Sequence, residues 1–165
     1  MSRIQEEISQ RRPFGTPEQE CVVGLLRTAD VVRRRLARVM APRGVTLQQY
    51  NVLRILRGAG PEGLPTLEIG QRMIERAPGV TRLLGRLVRK QLVERGRTRS
   101  DQRCVVCRIT RRGLDVLAEL DAPMDAADRQ GLGALGRDDI PELIRLLDAV
   151  RAGDASHDAT RSEEE

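Results

Sequence analysis

The chain has 165 residues and a mass of 18.4 kDa, with 29 basic and 24 acidic side chains and 39% apolar residues, enough for one domain with a real hydrophobic core. No apolar run approaches the ~18–20 residues of a membrane span, and three cysteines (Cys21, Cys104, Cys107) are too few and too odd in number for a secreted disulfide framework. One His (His157), one Tyr (Tyr50), one Phe (Phe14) and no Trp argue against His-based acid–base chemistry and leave no stacking platform for single-stranded nucleic acid.

Residues 1–16 are polar, punctuated by Pro13 and Gly15, and are expected to be a flexible segment with no secretory leader. The cytoplasm is therefore the expected compartment, with no membrane partner. Thr16 can cap a helix with Pro17 at its first position. From Glu18 to about Met40, apolar residues recur at helical spacing: Val22, Leu25, Leu26, Ala29, Val32, Leu36, Val39 and Met40. A helix this long cannot bury its stripe inside a small body, which predicts that part of it packs on a partner. Thr46 caps the next helix, with Leu47, Tyr50, Leu53, Ile55 and Leu56 on its apolar face. Gly58–Gly63 reads as a plain loop. Thr66 is expected to cap a short helix carrying Leu67, Ile69, Met73 and Ile74.

After a break at Arg76-Ala77-Pro78-Gly79, a helix is predicted from about Gly79 to Gln91. Val80, Leu83, Leu84, Leu87 and Val88 form its buried stripe, and Thr81, Arg82, Gly85, Arg86, Arg89 and Lys90 face outward. Two β-prone runs flanking the polar tip Thr98–Gln102 predict a hairpin. Thr110 can cap the following helix, which Pro123 is expected to kink or interrupt. The last helix starts near Asp139 with Glu142 as a capping box, and Ile140, Leu143, Ile144, Leu147 and Val150 line its apolar face. Residues 153–165 are expected to be an acidic disordered tail. The fold class expected is mainly α with a small β wing.

Charge location sharpens the reading. Residues 66–112 carry 13 basic and 4 acidic groups, a net +9, whereas residues 113–165 carry 5 basic and 14 acidic, a net −9. A basic segment of this kind is the footprint of a polyanion partner, against the plainer reading of a solvated charged face. Two short helices across a tight break, the second basic outside, then a basic hairpin, form the winged helix-turn-helix order. Such a helix fits the major groove of B-DNA, and an arginine-bearing hairpin can follow the backbone or enter the minor groove.

At these residues the chain resembles the MarR family of bacterial transcriptional regulators. The resemblance rests on Val45-Thr46-Leu47-Gln48-Gln49-Tyr50-Asn51-Val52-Leu53, on Val80-Thr81-Arg82-Leu83-Leu84-Gly85-Arg86-Leu87 and on Leu92-Val93-Glu94-Arg95. It continues through Asp101-Gln102-Arg103 and Ile109-Thr110-Arg111-Arg112-Gly113. It implies a regulator domain at 17–152, with a winged helix at about 46–110 and dimerisation helices at about 18–41 and 111–152. It also implies a homodimer on pseudo-palindromic double-stranded DNA. In such a protein Thr81, Arg82, Arg86 and Arg89 serve the recognition helix, Arg97, Arg99 and Arg103 serve the wing, and Asp101 shapes the wing. Gln91 stands where the family often has Gly, and Pro78-Gly79 replace a Ser/Thr-rich helix start.

Cys104 and Cys107, three apart on a strand, point to opposite faces, so a shared metal or local disulfide is not expected. Some family members sense hydroperoxides through a cysteine near the start of the first helix. Cys21 lies one residue out of register with that position, and its default reading is a small buried apolar residue. Val22, Leu26, Leu36, Leu143, Ile144, Leu147 and Val150 are the dimer candidates. The function expected is a dimeric, sequence-specific DNA-binding repressor released by a small-molecule effector, with no cofactor, no metal and no enzymatic activity. The alternatives are a thiol-based oxidation sensor of the same fold through Cys21, or a winged-helix protein-interaction module without DNA binding.

Overall fold

The computed structural model describes residues 2–75, 79–97 and 105–161, with side chains described through residue 153. The chain divides into two compact units, Met1–Ala127 and Asp128–Glu165. The division falls inside a helix that the sequence reading places wholly in the dimerisation part.

The first unit opens with α1 (Arg3–Glu7), within the segment expected to be loose. Its Glu7 faces Arg27 at 3.6 Å, and buried Gln5 donates from Nε2 to the Arg12 carbonyl at 3.3 Å. The long helix α2 (Pro17–Met40) begins as predicted, with the Thr16 hydroxyl accepting from the Gln19 N–H. Of its 24 residues only Met40 is buried, and Val22 and Leu26 are more than half exposed. A 3-10 turn at Ala41–Arg43 and left-handed Gly44 close it.

Helix α3 (Leu47–Ala59) starts with a full capping box, in which Thr46 accepts from the Gln49 N–H and the Gln49 side chain accepts from the Thr46 N–H. The predicted loop after it contains a 3-10 turn (Gly60–Glu62) and a two-residue strand, β1 (Leu64–Pro65), which sequence reasoning missed. Helix α4 (Thr66–Arg72) follows directly. Thr66 is its first residue and not its cap, because Pro65 already holds the extended N-cap position without a side-chain bond. Helix α5 (Val80–Arg89) is entered through Gly79 at φ +104°, which supplies no side-chain cap.

Strands β2 (Val93–Arg97) and β3 (Val105–Ile109) pair antiparallel, with β1 on the other side of β3. Their register sets Leu64 and Arg95 opposite Cys107. Thr110 caps α6 (Arg111–Leu132), its hydroxyl accepting from the Gly113 N–H at 3.1 Å. Pro123 does not interrupt α6. Its missing N–H removes one helical bond, but Leu120 and Met124 beside it are buried and hold the helix through it. The core is aliphatic, as the composition requires: Met40, Val52, Leu53, Leu56, Ile69, Leu84, Leu87 and Leu117 are fully buried.

In the second unit, α7 (Asp139–Arg161) runs on past residue 153, where a disordered tail was expected. Helix propagation needs one backbone bond per added residue and no burial. Asp139 accepts from the Gly136 N–H at 2.7 Å, while the Glu142 carboxylate turns to Arg145 at 2.7 Å instead of back to the cap. No described residue of 128–153 is buried, and Ile144, Leu146 and Val150 are about half exposed. Among the described residues no helix is long and apolar enough to cross a membrane.

Candidate nucleic-acid interface

Helix α5 is built from two opposed stripes. Leu83, Leu84 and Leu87 are buried, so helical periodicity turns Arg82, Arg86 and Arg89, at spacings of four and three, onto one exposed face with Thr81 beside them. Arg97 stands exposed at the end of β2. Among the described residues the side chains of Arg82, Arg86, Arg89 and Arg97 have no ion-pair or hydrogen-bond partner. Acidic side chains elsewhere are matched to other arginines: Glu75 to Arg33, Glu119 to Arg43, Asp121 to Arg57 and Glu68 to Arg72. Among the described residues, these four guanidiniums thus leave the outer face of α5 and the end of β2 positively charged. Arg99, Asp101, Arg103 and Cys104 lie outside the described residues.

Three further cations hold this surface in shape, and the sequence did not single them out for that task. Arg95 on β2 donates to the Thr81 carbonyl at 3.3 Å, bracing the wing against the first turn of α5. Arg108 on β3 donates to the Pro61 carbonyl at 2.9 Å and the Arg97 carbonyl at 3.2 Å. Its side chain runs over two glycines: an added Cβ would meet its Cγ at 2.7 Å from Gly63 and its guanidinium nitrogen at 2.7 Å from Gly96. Lys90, the only lysine of the chain, ties the end of α5 to the α2–α3 corner through the Gly44 carbonyl and the Gln49 Oε1. The glycines flanking Arg108 were the available signal. A cation that binds a backbone carbonyl leaves none of its own.

Helix α5 ends in a left-handed turn even without Gly. Gln91 adopts φ +59°, with Gln91 N–H bonded to the Val88 carbonyl at 2.9 Å and Leu92 N–H to the Leu87 carbonyl at 3.0 Å. The replacement of Gly by Gln91 leaves the helix terminus closed in the usual way.

Beside α5 lies an open hollow of about 530 Å³ edged by Arg33, Ala37, Thr46, Leu47, Gln48, Gln49, Glu75 and Arg86. It brings the Arg33–Glu75 ion pair and the Arg86 guanidinium together with the apolar side chains of Ala37 and Leu47. Cys107 is buried and free, and Cys21 is exposed on α2, not buried as its default reading had it. The Tyr50 hydroxyl accepts from Arg54 at 3.0 Å in the partly buried face of α3. Among the described residues no His, Cys, Asp and Glu cluster could hold a metal ion.

The profile of the MarR family matches residues 43–103. No curated protein matches the sequence. Solved structures do. A MarR transcription factor from Planctomyces limnophilus is 36% identical, with 83% of this chain and 99% of that chain covered and a TM-score of 0.62. A MarR family transcriptional regulator from Streptomyces coelicolor is 25% identical, with 86% and 98% covered and a TM-score of 0.74. A mutant MarR from E. coli complexed with operator DNA is 22% identical, with 91% and 99% covered and a TM-score of 0.70, a likeness of fold.

Proposed function

The chain belongs to the MarR family of transcriptional regulators, and on that premise we propose that it is a homodimeric, sequence-specific repressor of transcription, acting on double-stranded DNA in the cytoplasm and released by a small ligand. The observation that carries the reading is the set of guanidiniums on α5 and β2 that have no partner among the described residues: Arg82, Arg86, Arg89 and Arg97. Thr81, Arg82 and Arg86 enter the major groove, Arg89 lies nearer the phosphates, and Arg97, with Arg99 and Arg103, follows the wing along the backbone. Asp101 shapes the wing tip. The likeness of fold to an E. coli MarR complexed with operator DNA supports a duplex DNA partner.

Dimerisation is supported by apolar side chains that no described residue covers. Val22 and Leu26 on α2, and Ile144 and Val150 on α7, are each at least 55% exposed, and Leu36, Leu143 and Leu147 are partly exposed beside them. A second copy related by a two-fold axis covers them and brings a second recognition helix about 34 Å away, one turn of the duplex. The hollow beside Arg33 and Arg86 is the effector site of this reading. The Arg86 guanidinium near Ala37 and Leu47, unpaired among the described residues, suits an acidic or phenolic molecule with an apolar body, while Arg33 is already paired with Glu75. Because Arg86 also belongs to the DNA face, effector and operator compete for it.

The test is selection of bound fragments from a random duplex pool, followed by affinity measurement on the selected site. A pseudo-palindromic site, lost to the Arg82→Ala/Arg86→Ala variant, is expected. Equal binding of all sequences, or of the variant and the parent, overturns the reading. Transcription in vitro from a promoter carrying the site is expected to fall on adding the protein and to recover with an aromatic carboxylate.

A further inference from the structure

The approach to α5 is held from three directions. Met73 is buried in the core. The Ile74 N–H donates to the Asn51 Oδ1 at 2.9 Å. The Glu75 carboxylate, four residues ahead of Gly79, accepts from Arg33 Nε at 3.0 Å and from Gln48 Nε2 at 3.4 Å. Asn51 and Gln48 belong to α3, inside the helix-turn-helix itself. Arg33 belongs to α2, the helix that carries the exposed Val22 and Leu26. Among the described residues, Arg33–Glu75 is the single ion pair joining α2 to the segment between α4 and α5.

Gly79 has no side chain to cap α5, and among the described residues the polar contact to its first turn comes from Arg95 of β2. The ion pair is also open to water, with Arg33 56% and Glu75 40% exposed. Pairs of that kind contribute little to folding stability. What the geometry does offer is a link between α2, with its exposed apolar side chains, and Glu75, four residues before Gly79 opens α5.

We propose that Arg33 and Glu75 are positioning residues: their pairing sets where α5 stands relative to α2, and hence the spacing at which two copies read the duplex. The proposal rests on the DNA-binding function above. Neither residue touches DNA in it. Gln48 steadies the second carboxylate oxygen, and Arg33 also edges the hollow beside Arg86, so whatever draws Arg33 away from Glu75 loosens the reading head.

Charge arithmetic gives this a decisive test. Glu75→Gln makes the protein one unit more positive, so bulk electrostatics alone strengthens its grip on any duplex. A positioning role has the opposite effect on the selected site. Affinity of the full-length chain is measured on the selected pseudo-palindrome and on a scrambled duplex, with the melting temperature read in parallel. Glu75→Gln and Arg33→Gln are each expected to lose about tenfold on the selected site. Glu75→Gln is expected to bind scrambled DNA no worse than the parent, and both variants to melt within about 3 °C of it. The swapped pair Arg33→Glu/Glu75→Arg restores the loss at unchanged net charge. If Glu75→Gln holds the selected site as tightly as the parent, or the swap is no better than either single variant, the tether has no positioning role. If the parent selects no sequence, the DNA-binding reading falls first and this proposal with it.

Discussion

Gln91 holds a backbone conformation that L side chains resist. At φ +59° its Cβ crowds the following carbonyl, a strain of about 1–2 kcal/mol that glycine escapes at some entropic cost. Its side chain returns part of this by accepting from Arg112 at 3.1 Å. Gln91→Gly is expected to raise stability by about 0.5–1 kcal/mol in urea melts. A loss of stability would mean that the Arg112 contact outweighs the strain. Asp121 makes a second residue-level prediction. Arg57 donates to both its oxygens, at 2.7 and 3.0 Å, and these hydrogen bonds hold the Asp121 carboxyl below the usual aspartate range. A lowered carboxyl stabilises the fold above the unfolded-chain value, about 3.9, and withdraws that stability as the pH falls through the lower folded-state value. The Asp121→Asn variant is therefore expected to melt below the parent at pH 7 and to converge with it as both are acidified toward pH 2. A gap that persists unchanged to low pH would exclude the ion pair as its cause.

At the level of elements, α6 depends on a contact that no substitution can share. A Cβ on Gly113 would lie 2.4 Å from the Leu92 carbonyl and 2.7 Å from Ile109 Cγ1. Gly113→Ala is expected to cost about 1–3 kcal/mol, and an unshifted denaturation midpoint would contradict the close approach of α6 to the wing. Elements were legible in the sequence where their signals are local. Thr16, Thr46 and Thr110 cap helices three residues away, and the leucines of α5 declare its period directly. The signal fails where a distant partner decides. Strand β1 is two residues long and exists by pairing with β3. Pro123 stays helical because buried neighbours on both sides outweigh its lost bond. The same division runs through the candidate interface. The arginines of α5 could be read from spacing, while Arg95 and Arg108 act on backbone carbonyls that every residue possesses.

Across the whole molecule, charge is sorted by position: a net +9 in residues 66–112 and −9 in residues 113–165. In the proposed complex of two copies on one duplex each copy neutralises several phosphates, so the logarithm of the binding constant is expected to fall linearly with the logarithm of salt, with a slope of about −0.9 per phosphate contacted. Arg97→Ala is expected to flatten that slope by about one per protomer with little change in sequence preference, whereas Arg86→Ala relaxes the preference and costs about 1–3 kcal/mol on the selected site. Identical slopes for parent and Arg97→Ala would remove β2 from the contact surface. Light scattering at micromolar concentration is expected to give twice the 18.4 kDa chain mass, and a monomer would leave the stripe of α2 without its proposed cover.

Lys90 gives the protein a built-in reporter. It is the sole lysine, and its ammonium is engaged by the Gly44 carbonyl and the Gln49 amide at the corner where α5 meets α3. Acylating reagents act on a free, uncharged amine, so this nitrogen should react slowly while the corner stays docked and quickly once it opens. The mass increment on the peptide that carries Lys90 then times the opening of that corner, with no label introduced by mutation.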